Sequence, residues 1–292
     1  MFVITLLTNP ETRGLEAPLV DSLRNAWGGG DAVWLGVDEA AEFRVLQMPG
    51  NLWDVWQSCQ DIGVDLICQP AEGQRKKMLL ADMDSTLIQQ ECIDELANEA
   101  GVGPHVAGIT ARAMNGELDF EDALRERVGL LKGLKASVID KVLAERITLM
   151  PGGAVLVATM KAQGGYTALV SGGFTAFSAG ISQTLGMDEH RANTLIVENG
   201  HLTGEVENPI LGRDAKVAAL HEITKHLGIA PADVIAVGDG ANDLGMLGIA
   251  GTGVALHAKA SVAAQCDVRI NHGDLTALLY LQGYSKSEFA VQ

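Results

Sequence analysis

A chain of 292 residues has room for about two domains at ~100–200 residues each. With 47% hydrophobic and 20% charged residues, it suits a globular protein with a sizeable core. A formal net charge of −16 argues against general binding to nucleic acid or anionic membrane surfaces, while a small anionic substrate stays open because a site can be locally positive.

Residues 1 to about 75 read as strand, helix, strand, strand, helix, strand. The strands are FVITLLT, AVWLGV, EFRVLQM and VDLICQP, and the helices run roughly over 17–27 and 52–62. That order predicts a small α+β sandwich of ferredoxin-like type over residues 1–75. Trp27, Trp34, Trp53 and Trp56 all fall there, so tryptophan fluorescence is expected to report on this domain alone. AEGQRKK is polar and reads as a linker.

Beyond it, short apolar strands alternate with helical stretches. MLLA (78–81), YTALV (166–170), VIAV (234–237) and GVAL (253–256) are the strands. This pattern predicts a parallel sheet covered on both faces. LIVENGHLTGEV interrupts it, with Asn199-Gly200 marking a hairpin. Residues 91–148 show helical runs near 91–100, 104–114, 119–131 and 136–147 and no convincing strand. They read as a cap inserted after the first core strand, leaving 76–90 and 149–292 as the core.

Cys59, Cys68, Cys92 and Cys266 lack CxxC spacing, and core packing in a reducing compartment suits them better. The N-terminus has no basic region before its short apolar run, and no run approaches the ~20 residues of a membrane span. A cytoplasmic protein is expected.

Ligands of open α/β sheets bind at the carboxyl ends of strands. Here three strands end in small polar motifs: Ala81 leads to DMDST, Val170 to SGGF and Val237 to GDGAND. If the first strand persisted to position 84, Asp82 and Asp84 would share a side, about 6–7 Å apart. Alone they could equally be solvated turn aspartates. Asp239 and Asp243 at another strand end shift the balance, because clustered carboxylates in a dry cleft need a cation, and such hard oxygen ligands suit Mg²⁺. Ser171, Gly172 and the following helix start offer an anion site, or merely a tight turn. Lys216 by itself reads as a surface lysine. In combination it is a cation facing phosphate. Within DFEDALRERVGLL, the apolar stripe is Phe120, Leu124, Val128 and Leu131. At about 100° per residue Arg127 falls inside it, about 20° from Phe120. That arginine is either snorkelling or internally paired, or it is a fork for a carboxylate. The histidines show no ligand spacing.

DMDST, SGGF, Lys216 and GDGAND, in this order around a helical cap, resemble the haloacid dehalogenase-like phosphohydrolases. DMDSTLIQQECIDELA, FEDALRERVGLLKGL, VSGGF and AVGDGANDLGML bring the likeness closer to the members that hydrolyse O-phosphoserine, over about residues 76–285. The resemblance implies a Rossmann-like core of α/β class, a small helical cap and an Mg²⁺ cofactor. It implies Asp82 as nucleophile, forming an aspartyl-phosphate, and Asp84 as general acid and base. Mg²⁺ would sit on Asp82, the Asp84 carbonyl and Asp239, with Asp243 and Asn242 supporting. Ser171, Gly172 and Lys216 would hold the phosphoryl oxygens. Arg127 matches a carboxylate-binding position and Glu91 an ammonium-binding one, although Glu91 alone would be ascribed to a helix dipole. Met114 and Phe120 match apolar residues closing over the substrate. The implied substrate is a phosphorylated amino acid, and the implied setting is the last step of serine biosynthesis. The N-terminal element order resembles ACT-like regulatory domains, with amino-acid sensing, homodimer formation or a spacer role as the alternatives. A receiver-like signalling module would share Asp, Mg²⁺, Ser/Thr and Lys, but has no use for a cap or for Asp84 as acid.

Overall fold

The computed structural model describes residues 1–290. The first part of the chain runs β1 (Phe2–Thr8), α1 (Ala17–Ala26), β2 (Val33–Gly36), β3 (Ala40–Val45), α2 (Leu52–Gln60) and β4 (Val64–Pro70). Its strands form one antiparallel sheet in the order β2-β3-β1-β4, the ferredoxin-like arrangement that the element order predicts. Ile4, Leu6, Phe43 and Leu66 of the sheet pack with Val20 and Leu23 of α1 and Leu52 and Cys59 of α2.

After the polar stretch comes β5 (Met78–Ala81), then four helices, α3 (Cys92–Glu99), α4 (Gly103–Met114), α5 (Phe120–Gly129) and α6 (Ser137–Glu145). The chain continues through α7 (Gly153–Ala162), β6 (Tyr166–Phe174), α8 (Thr175–Leu185), β7 (Glu189–Asn193), β8 (Leu195–Glu198) and β9 (His201–Val206). It ends in α9 (Arg213–Leu227), β10 (Val234–Gly238), α10 (Leu244–Ile249), β11 (Thr252–Leu256), β12 (Val268–Ile270) and short helical turns. Six strands make a parallel sheet in the order β12-β11-β10-β5-β6-β7. Alternation along β5 serves both faces. Leu79 and Ala81 join the layer built by α7 and α8, while Met78 and Leu80 join the layer built by α9 and α10. All four are fully buried, and each leucine contributes about 2 kcal/mol of hydrophobic stabilisation.

The hairpin forms as expected, with Asn199 at φ 49° and Gly200 at φ 76°, and it bonds to the cap. The Gly133 N–H donates to the Leu202 carbonyl at 2.8 Å, and the Leu202 N–H to the Leu134 carbonyl at 2.8 Å. The Ala136 N–H reaches the Gly200 carbonyl at 2.9 Å, so the chain after α5 lies beside β9 like a third strand. The sequence around Lys135 shows no strand pattern because this contact is a single bridge, Lys135 to His201.

The expectation about tryptophan needs correction. The Arg269 guanidinium of β12 lies 4.4 Å from the Trp53 ring centre and 5.2 Å from that of Trp56. Two of the four tryptophans therefore stand at the contact between the two sheets' domains. The same contact buries Asp65, whose carboxylate accepts the N–H groups of Asn271, His272 and Gly273 at 2.8–3.0 Å. The four cysteines are buried and free. Among the described residues, no helix is long and apolar enough to cross a membrane.

Candidate active site

The sheet order places β10, β5 and β6 side by side, so the three polar motifs leave adjacent strands at one edge. Strand β5 ends at Ala81, earlier than continued alternation to position 84 would require. Asp82 still follows the sheet, its N–H donating to the Val237 carbonyl at 3.0 Å, and its Oδ1 accepts the Met83 N–H at 2.8 Å. Met83 then turns fully into the core. The N–H groups of Thr86, Leu87 and Ile88 converge on its carbonyl, and Ser85 adopts φ 53°. This tight turn sends the Asp84 carboxylate to the Cys92 N–H at the start of α3, at 2.8 Å. The two aspartates share a cavity because of the turn rather than strand alternation.

Behind Asp82 lie the two aspartates of the third motif. Carboxylate oxygens of Asp82, Asp239 and Asp243 all lie within 4.8 Å of one another, and all three residues are buried. The Lys216 ammonium, 1% exposed, stands 2.7 Å from Asp82 Oδ1 and 2.6 Å from Asp243 Oδ1. Burial alone would lower the Lys216 pKa, but Asp243 and Asp82 outweigh it and hold the pKa above its ordinary value. One ammonium does not balance three carboxylates. Burial, then Asp243 and Asp82, pushes Asp239 well above the usual carboxylate range. Burial and Asp82 push Asp243 up to about 6, against the pull of Lys216. Asp239 Oδ1 is buried with no hydrogen-bond partner among the described residues. An orphaned carboxylate oxygen inside a hard-oxygen cluster fits a divalent cation such as Mg²⁺. The Asp84 carboxylate stands apart from the cluster.

The second motif differs from the turn read in the sequence: β6 continues through Phe174 before α8 begins. Its register against β7 shifts between Val170 and Phe174. The Ser171 hydroxyl accepts the Gly173 N–H at 2.8 Å and donates to Asp84 Oδ2 at 3.4 Å. Both glycines are required by close approach. A Cβ on Gly172 would lie 2.6 Å from the Phe120 ring, and one on Gly173 would lie 2.5 Å from Asp84 Oδ2. Asn193 braces the stretch, its amide donating to the Gly172 and Leu211 carbonyls and its oxygen accepting the Leu211 N–H.

The cap closes the site from above. Its helix α5 starts where Asp119 caps the Asp122 N–H at 3.0 Å, with Glu121 and Asp122 favourable to the helix dipole in the first turn. This start fixes the face that carries Phe120, Leu124 and Arg127. A cavity of about 40 Å³ is lined by Asp82, Asp84, Glu91, Met114, Phe120, Arg127, Ser171, Gly172 and Asn242, among others. Lys216, Asp239 and Asp243 do not line it. Burial pushes Asp84 up to about 6, against the Cys92 contact. Burial, then Asp84 and Asp239, pushes Glu91 well above its ordinary value, although its Oε1 accepts the Ser85 hydroxyl at 2.6 Å. Arg127 is 5% exposed and holds its Nε–H on the Ala123 carbonyl at 3.1 Å. His105, His190, His201, His221, His226 and His257 are exposed and away from the cavity.

Ser85 lies within DMDST, but its bond to Glu91 has no signal in the sequence. Neither do Asn193, which braces Gly172, or Thr110 and Asp94, which stand behind Arg127. Asp94 and Thr110 sit on helical patterns where they look like ordinary surface and filler positions.

The chain belongs to the haloacid dehalogenase-like hydrolases, whose family pattern matches residues 79–248. Within that class it is similar to phosphoserine phosphatases. That of Archaeoglobus fulgidus is 42% identical over 224 residues, 76% of this chain and 65% of that protein. The chain spans 65%, 56% and 65% of the lengths of the Archaeoglobus, Streptomyces coelicolor and Haemophilus influenzae relatives. A haloacid dehalogenase-family hydrolase of Salmonella enterica serovar Typhi superposes with TM-score 0.84 at 30% identity, covering 96% of this chain and 98% of that one. A phosphoserine phosphatase solved as a phospho-aspartyl intermediate analogue superposes with TM-score 0.68 at 44% identity, covering 70% and 98%.

Proposed function

We propose that the protein is a phosphatase that hydrolyses O-phospho-L-serine to L-serine and phosphate through an aspartyl-phosphate on Asp82. One observation carries the reading. Arg127, a buried cation suited to a carboxylate, and Glu91, a carboxyl that an arriving ammonium would hold in its charged form, line the same cavity as Asp82. A phosphorylated amino acid has the three charged groups such a cavity would read. The Archaeoglobus relative and the phospho-aspartyl analogue support both the substrate and the intermediate.

In the first step an Asp82 carboxylate oxygen attacks phosphorus and the bond to the serine oxygen breaks. The serine alkoxide is a poor leaving group, and Asp84 donates a proton to it. A carboxyl lifted to about 6 by burial keeps a useful protonated fraction near neutrality. In the second step the Asp84 carboxylate takes a proton from water as the water attacks phosphorus, and phosphate leaves Asp82. The Ser171 hydroxyl and the Gly172 N–H hold the phosphoryl oxygens from the cavity wall, Asn242 assists from the turn after β10, and the Lys216 ammonium, 2.7 Å from Asp82 Oδ1 behind that wall, meets the phosphoryl group as it joins Asp82. Asp82, Asp239 and the Asp84 carbonyl would hold Mg²⁺, with Asp243 and Asn242 supporting. Bound there, the ion offsets the negative charge shared by carboxylates and phosphoryl group. Such an activity would end a route of serine biosynthesis.

The test is a panel of phosphoesters in Mg²⁺, run on the wild type and on Asp82→Asn. O-phospho-L-serine should be preferred by a wide margin, and the variant should be inactive. Acid quenching during turnover should leave phosphate on the Asp82 peptide of the wild type. Similar rates on unrelated esters would overturn the substrate, and retained turnover in Asp82→Asn would overturn the nucleophile.

A further inference from the structure

Arg127 does not stand alone in the cap. Its Nη1 donates to Thr110 Oγ1 on α4 at 3.0 Å, and that hydroxyl donates its own proton to Asp94 Oδ1 on α3 at 2.6 Å. One hydroxyl thus joins three cap helices. A threonine within a helix ordinarily turns its hydroxyl back to a carbonyl three or four residues earlier. Thr110, 3% exposed, instead directs it sideways into this relay.

The relay leaves Arg127 in a particular state. Nε is held by Ala123 and Nη1 by Thr110, while Nη2 has no hydrogen-bond partner among the described residues. Arg127 lines the cavity and neither Thr110 nor Asp94 does. A direct bidentate pair between Arg127 and Asp94 would occupy the fork that a ligand carboxylate needs. Thr110 keeps the acid one hydroxyl away. Asp94 still offsets the buried positive charge, and the guanidinium stays fixed in rotation but free at its outer edge. Fixing a planar donor before the ligand arrives lowers the entropy cost of binding.

We propose that Thr110, oriented by Asp94, is a positioning residue that sets specificity for the substrate's carboxylate by presenting Arg127 with its outer edge free. This rests on the phosphoserine reading above. The prediction separates two substrates that share phosphate and ammonium, O-phospho-L-serine and O-phosphoethanolamine, which lacks the carboxylate. Thr110→Val keeps the shape and removes both hydrogen bonds. It should raise KM for O-phospho-L-serine about tenfold, a loss of about 1.4 kcal/mol in binding. Its kcat should stay within about twofold, the pattern of lost ground-state binding. Its kcat/KM for O-phosphoethanolamine should match the wild type, which also reports that the variant is folded. Thr110→Ser restores the hydroxyl and should restore KM.

Equal losses on both substrates, or Thr110→Ser as poor as Thr110→Val, would overturn the positioning role while the substrate assignment stands. A wild type that does not distinguish the two substrates would overturn both together.

Discussion

Phe120, the first residue of α5, stands over Gly172 so closely that a Cβ at Gly172 would lie 2.6 Å from its ring. Carbon contacts that short essentially never occur, so Gly172→Ala must displace the Phe120 ring, the cap helix that carries it, or the Ser171–Gly173 end of β6. Each movement disturbs the cavity that Arg127 and Asp82 line. A misplacement of about 1 Å can cost on the order of 100-fold in rate, and kcat/KM on O-phospho-L-serine should fall at least about tenfold. The thermal midpoint should stay close to wild type, because Gly172 adds no apolar packing of its own. Wild-type kinetics in Gly172→Ala would show that the cap need not close against this end of β6.

Lys216→Met keeps the volume and removes the one ammonium between Asp82 and Asp243. Removing one partner of a buried ion pair leaves an uncompensated charge and costs about 3–5 kcal/mol. Urea unfolding in EDTA should show a loss of that order. Repeating it in Mg²⁺ should recover part of the loss, since a cation in the carboxylate cluster would take over charge balance. No recovery with Mg²⁺ would argue against a metal held by Asp82, Asp239 and Asp243.

Asp65 gathers the N–H groups of Asn271, His272 and Gly273 onto one carboxylate. In Asp65→Asn an amide NH₂ replaces one acceptor oxygen and faces donors. Leaving a buried donor unsatisfied costs about 1–3 kcal/mol, enough to loosen the docked N-terminal sheet. Arg269 would then leave Trp53 and Trp56, so tryptophan emission should shift to the red. Turnover should persist, because no residue of that sheet lines the cavity. An unchanged emission spectrum would place the strength of the docking elsewhere.

Asp188 ties β6 to β7. It accepts the Thr167 N–H and hydroxyl, both at 2.9 Å, and the Lys161 ammonium at 2.7 Å. Burial would raise its pKa, but Lys161 and Thr167 outweigh that and hold it below the usual carboxylate value. A folded-state pKa below the unfolded one stabilises the protein above the unfolded pKa, and the contribution is lost as pH falls through the folded value. Wild type should therefore exceed Asp188→Asn in stability at pH 7, and the gap should close as the medium becomes acid. Denaturation midpoints across that range decide it. A gap that persists at low pH would mean that shape rather than charge carries the contribution.

The sheet strands were legible because fully buried parallel strands read as unbroken apolar runs, as in MLLA and VIAV. Strand β7, EHRAN, was not. It lies at the sheet edge with His190 exposed, so nothing apolar marks it. Arg127 was visible as a charge inside an apolar stripe, and the structure buries it in the cap. Lys216 was not visible as a buried residue, because its partners Asp82 and Asp243 come from distant strand ends. Thr110 falls on the buried face of α4 and looks like filler. Its value depends on two other helices, and helical periodicity holds no information about them. The linear pattern reports what a segment buries, whereas a hydrogen-bond partner is set by topology.

The bonds from Gly133, Leu134 and Ala136 to the hairpin make the lid a composite of two stretches far apart in the gene. A chimera that exchanged residues 91–148 for those of a relative would import helices without the β-ribbon they lean on. A working graft would carry residues 195–206 from the same donor, and natural recombination that redirects substrate choice would face the same constraint.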